Sequence, residues 1–112
     1  MEIRGKLAKV FSSLEKDGFI ARMDWKCCQT CGWNAIANEV ERADYPVKGA
    51  VFFHSQDADD LLERGRVYLS YGSINGDEEE DRKVGEIVCS ALKESGLNFK
   101  WSGNPSERIL VF

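Results

Sequence analysis

Histidine is nearly absent from this chain: His54 is the only one in 112 residues. With one imidazole the options for acid–base catalysis are few, and no Ser-His-Asp arrangement is visible. Long apolar runs are missing as well. No stretch approaches the roughly 18 consecutive apolar residues of a membrane span, and the start, Met1-Glu2-Ile3-Arg4-Gly5-Lys6, lacks the apolar core of a secretory signal. Nor is there a basic excess. Lys and Arg number 15 against 19 Asp and Glu, for a net charge of −4. They are scattered, without the stripe that a phosphate backbone requires, which argues against nucleic acid. No G-x-G-x-x-G or P-loop pattern occurs, and no internal repeat, low-complexity tract or linker divides the chain.

What is present describes an ordinary globule. Apolar residues make up 43% and charged residues 30% of 112 residues, a balance that predicts one domain over residues 1–112. Without signal or span, the chain reads as cytoplasmic and reduced. Ile3, Leu7, Val10 and Leu14 form a helical stripe in residues 2–17, closed by Gly18. Phe19 to Trp25 alternates as a strand, and a second helix follows over 29–42 with Trp33, Ile36, Ala37 and Val40 as its apolar stripe. Gly49 to His54 is almost wholly apolar and predicts a central strand. Asp57 is the expected N-cap of a short helix, with Leu61 and Leu62 inward and Gly65 as terminator. Arg66 to Ser73 predicts a third strand, and 78–95 a helix with the stripe Val84, Ile87, Val88, Ala91 and Leu92. A hairpin, 98–102 and 107–112, ends the chain. The order α-β-α-β-α-β-α-β-β predicts an α+β fold: a mixed sheet of about five strands packed with helices, parallel neighbours first and an antiparallel pair last.

Three of the four cysteines fall together, in Cys27-Cys28-Gln29-Thr30-Cys31-Gly32, where a strand hands over to a helix. A helix N-terminus favours thiolates, the form that binds metal or exchanges disulfides. Cys28-x-x-Cys31 has the spacing of a zinc knuckle, yet the second C-x-x-C is absent. His54 ends a neighbouring strand and can complete a site with Cys27, Cys28 and Cys31, with Asp57 alongside; Cys89 sits off its helix stripe and is the weaker ligand. A redox reading rests on the same pair with Trp25 just before it, a local likeness to thioredoxin motifs. The order of elements does not match that fold, and neither Pro46 nor Pro105 stands as its cis-proline. The competing structural reading treats the thiols as small buried hydrophobes.

His54-Ser55-Gln56-Asp57 closes the second strand, where α/β sheets place binding residues. Capping accounts for the acids; His54 and Gln56 remain as a polar rim beside the cysteines. Glu78-Glu79-Glu80-Asp81 reads as a solvated helix start. Trp101 and Arg108 fall on the two strands of the final hairpin, where a cross-strand stacking pair or a ligand-reading surface is expected.

Four motifs together, Cys27-Cys28-x-Thr30-Cys31-Gly32, Phe52-x-His54-x-Gln56-Asp57, Tyr68-Leu69-x-Tyr71-Gly72 and Trp101-x-Gly103 followed by Arg108-Ile109, resemble a bacterial domain of unknown function over nearly the whole chain. The resemblance implies no activity. It implies that the residues of those motifs, Trp101 and Arg108 among them, hold shared positions. Members of that family carry a longer segment between the third strand and the last helix than this chain does.

The leading expectation is therefore a small cytoplasmic domain that binds another protein and is not an enzyme. The alternative is a thiol- or zinc-dependent site, metal-binding or redox, on Cys27, Cys28, Cys31 and His54 with Gln56 and Asp57 alongside. Neither nucleic acid nor membrane is expected as a partner. The apolar last strand, Ile109 to Phe112, offers an edge through which a homodimer can pair.

Overall fold

The computed structural model describes residues 3–26, 29–74 and 76–112. Helix α1 (Ile3–Lys16) buries Leu7, Val10 and Leu14 of the expected stripe plus one aromatic, Phe11, while Ile3 is only partly buried. Gly18, at φ 99°, turns the chain into β1 (Phe19–Arg22), a conformation that favours glycine. There follow α2 (Gln29–Arg42), β2 (Gly49–Phe52), α3 (Ser55–Arg64), β3 (Val67–Gly72), α4 (Glu78–Glu94), β4 (Phe99–Lys100) and β5 (Ile109–Val111). The element order is the expected one, and the sheet is mixed.

Its strand order is β1-β2-β3-β5-β4. Only β1 and β2 run parallel; β2–β3, β3–β5 and β5–β4 are antiparallel. The expectation of parallel neighbours thus fails at β2–β3. A parallel return needs a crossover that carries the chain back along the sheet. Instead α3 ends at Gly65, left-handed at φ 68°, and Val67 starts β3 beside the C-terminal end of β2, with Phe52 opposite Ser70. The centre of the sheet is accordingly β3, with β2 an inner strand buried at all four positions. The last strand, β5, has β3 on one side and β4 on the other.

Strand alternation divides the core in two. Val51 and Phe53 join α1, α4 and the Ala58 and Leu61 face of α3 in the larger cluster. Ala50 and Phe52 point the other way, to Ile20 and to Ile36 of α2. Helix α2 packs over β1 and β2 and reaches β3 through Trp33, beside Gly72; further along β3, Tyr68 is 40% exposed. The helix faces show two departures from the sequence pattern. Leu62, expected inward, is 76% exposed. In α4, Ile87 is exposed and the buried line runs through Gly85 and Cys89. The rotation has a steric cause: a Cβ on Gly85 would lie 2.6 Å from Trp101 and 2.9 Å from Tyr71, so those rings occupy the space a side chain would need.

Candidate functional site

The polar residues at the ends of β2 and β5 meet on the half-covered face. Register explains why. Phe52 is opposite Ser70, and Leu69 opposite Ile109, so one pair further on Arg108 stands beside Ser70. Directly opposed residues share a face, which sets Phe52, Ser70 and Arg108 in a row. Two residues beyond Phe52, the same alternation carries His54 towards Tyr68.

Asp57 is the hub. It is buried, and its Oδ2 accepts from the backbone N–H of His54 at 3.4 Å and from Arg108 Nη2, with His54 Nε2 3.2 Å away. The N-cap of α3 is His54, not Asp57 as expected; Asp57 lies three residues on and reaches back to the cap, the carboxylate half of a capping box. Partial positive charge at the helix start also favours a carboxylate there. Arg108 Nη2 additionally donates to Tyr68 O at 2.6 Å, and the guanidinium lies 5.5 Å from the centre of the Tyr68 ring. His54 Nδ1 is buried and has no hydrogen-bond partner among the described residues.

Beside this hub lies a cleft of about 160 Å³, walled by Trp33 of α2, by Ser70 and Tyr71, and by Pro105 to Arg108. Ser70 Oγ and Arg108 Nε are both buried and have no hydrogen-bond partner among the described residues. Buried polar groups are overwhelmingly paired, so two such atoms on one cleft are unusual. Trp33 is held edge-on against Phe52, centroids 5.0 Å apart.

Trp101 belongs elsewhere. The expected pairing of Trp101 with Arg108 is corrected by the register: neither residue is in a strand, and they serve opposite faces. Trp101 stands edge-on to Tyr71 at 5.6 Å and donates from Nε1 to the Tyr71 hydroxyl at 2.7 Å. That hydroxyl donates to Glu107 O at 2.7 Å, with Asn104 O at 3.1 Å. Burial pushes the Tyr71 hydroxyl up to about 12, against the opposing effect of the Trp101 bond. Cys89, beneath the same rings, is pushed up to about 11 by burial and by Glu86. A thiol so raised is not an activated nucleophile.

The approach to the cysteine segment runs along the same end of the sheet. Trp25 N donates to Phe53 O at 2.8 Å and Ser55 N to Lys26 O at 3.0 Å. Lys26, at φ 63°, holds a left-handed backbone without being glycine, which costs on the order of 1–2 kcal/mol. Cys27 and Cys28 lie outside the described residues. Cys31 is exposed in the first turn of α2, and Gly32 behind it packs so closely that a Cβ would fall 2.5 Å from the Phe52 ring. Gln56 is exposed on α3. Among the described residues no three His, Cys, Asp or Glu side chains converge as a metal site. Of the predicted site residues, His54, Asp57 and Arg108 come together, while Gln56 and Trp101 stand apart.

Sequence reasoning passed over Ser70, Trp33 and Tyr68 as site residues. A signal existed for Ser70, a hydroxyl in the middle of an inner strand where the pattern calls for packing. For Trp33 there was none, because its place in an apolar stripe accounts for it fully.

The chain belongs to a family described as a domain of unknown function, DUF6891, whose model matches residues 4–112. No curated protein matches the chain, and neither does any solved structure.

Proposed function

We propose that this DUF6891 domain is a non-enzymatic cytoplasmic binding domain, and that it receives a partner protein on the sheet face left open beside α2. One observation carries the reading: Ser70 and Arg108 line the same cleft, and Ser70 Oγ and Arg108 Nε are buried without a partner among the described residues. A folded chain that keeps such atoms forgoes stability unless something pairs with them. The exposed Tyr68 next to them, with Arg108 against its ring, adds aromatic and guanidinium surface of the kind enriched at interfaces. Arg108 is fixed by Asp57, so little side-chain entropy would be lost on binding.

Photo-crosslinking in cells tests this. A photoreactive residue replacing Tyr68 is expected to give a discrete adduct that Ile87, on the opposite face, does not. The captured protein, once purified, should bind the wild-type domain and bind Tyr68→Ala at least tenfold more weakly. Adducts independent of position, or equal binding by Tyr68→Ala, would end the reading.

A thiol- or zinc-dependent site on Cys27, Cys28, Cys31 and His54 is the second reading. What favours it is the Lys26–Ser55 hydrogen bond, which brings the chain just ahead of Cys27 alongside the start of α3. Metal analysis of tag-free protein separates the two: one zinc per chain, released on thiol modification, supports the site, and its absence removes it.

A further inference from the structure

The cleft between Trp33 and Arg108 has a specific hydrogen-bonding complement. Arg108 and Ser70 line it, and each carries a buried atom without a partner among the described residues: Arg108 Nε, which can only donate, and Ser70 Oγ, which can do either, so that an occupant meets them once the side chains turn towards the cleft. An anion is the obvious occupant for an arginine, but Arg108 already has a carboxylate partner. Asp57 takes Arg108 Nη2 from one side, and Glu107 adds a second acidic residue to the cleft wall. A carboxylate placed there would meet like charge with no uncompensated cation. What remains to be satisfied is one donor and one hydroxyl, beside the indole of Trp33.

We propose that this cleft binds a neutral amide group of the partner protein, its carbonyl accepting from Arg108 Nε and its N–H donating to Ser70 Oγ. Size is consistent with this: about 160 Å³ is room for an amide and its flanking carbons, given the roughly 30 Å³ that one water occupies in the liquid. Trp33 supplies a flat apolar wall on which an amide plane can lie. The inference rests on the binding-domain reading and names the group that is recognised.

The test reads Arg108 itself. Nitrogen–proton correlation spectra of the 15N-labelled protein resolve the arginine Nε–Hε signal, assigned with Arg108→Lys. The probes are glutamine, glutamate and alanine, each acetylated at its N-terminus and methylamidated at its C-terminus. The expected result is a saturable shift of the Arg108 Nε–Hε signal with blocked glutamine. Blocked glutamate should bind at least fivefold more weakly, and Ser70→Ala should weaken the glutamine probe severalfold. Blocked alanine, which offers backbone amides alone, identifies the source: a shift equal to that of glutamine assigns the cleft to the main chain, and a weak one to a side-chain amide. Tighter binding of blocked glutamate overturns the proposal in favour of an anion site, and no Arg108 shift with any probe overturns it outright. Either failure, with the Tyr68 crosslink still specific, removes the amide and leaves the binding surface in place.

Discussion

Two neighbouring residues of β3 face opposite worlds. Tyr71 points to the side closed by α1 and α4, where its hydroxyl ties Trp101 to the backbone of Asn104 and Glu107. Ser70 points to the side that α2 covers only in part, where its hydroxyl pairs with nothing. One face is packed to the limit, with glycine required at position 85 to admit the rings. The other keeps a hub of ionic bonds around Asp57 and leaves donors unfilled. Stability and recognition are thus separated by strand alternation, with a single sheet serving both.

The largest blow should fall on the polar side. Asp57→Ala removes the shared partner of His54 and Arg108 and strands a partly buried guanidinium. Losing one member of such a pair typically costs 3–5 kcal/mol, and with Arg108 still partly solvated about 3 kcal/mol is expected in urea unfolding. A loss below about 1 kcal/mol would mean that the hub is not what holds α3 to β5.

Next is the packed side. Gly85→Ala puts a methyl group into the space of Trp101 and Tyr71, so overpacking should cost about 1–3 kcal/mol despite the better helix propensity of alanine. A neutral outcome would show that the Trp101 indole yields freely, and its near-UV circular dichroism would then be lost.

The sharpest contrast comes from deleting one hydroxyl on each face. Tyr71→Phe breaks the bridge to Trp101 and should destabilise by about 1–1.5 kcal/mol. Ser70→Ala removes a buried group with no partner, and stability should stay level or rise by up to about 1 kcal/mol. Equal losses from both would collapse the distinction between the faces.

A further contrast is in alkaline solution. Cys89 and Tyr71 are raised from 9.0 to about 11 and from 10.0 to about 12. Both groups ionise earlier in the unfolded chain than in the folded one. The stability tied to keeping them neutral is complete below about pH 9 and declines as pH rises through 9 to 11 for Cys89 and 10 to 12 for Tyr71. Cys89→Ala should flatten the first part of that fall in denaturation midpoints taken at half-unit steps of pH.

Much of this was legible in the residues. Stripes such as Leu7–Val10–Leu14, the alternation of Val67, Leu69 and Tyr71, and glycines 18 and 65 placed the elements, because helix and strand periods are local properties. His54 and Asp57 were marked as site candidates from their place at the end of the second strand, and Arg108 from its place on the final hairpin. Their meeting was not legible, since 51 residues separate Asp57 from Arg108 and nothing in a linear pattern gives strand order. The inward face of α4 was misjudged for a related reason: the pattern weighs side-chain polarity and cannot know that Trp101 will claim the space over Gly85.

Composition and periodicity by themselves determined the four helices and five strands found among the described residues, and that one sheet would carry them, because each segment's apolar spacing suits only one backbone period. Tertiary structure alone decided that β3 returns antiparallel to β2, that β5 is closed in between β3 and β4, and that Ser70 and Arg108 stand side by side. Those outcomes turn on how short α3 is and on which strand edges are left to pair, and both are settled only when distant segments compete for the same hydrogen bonds.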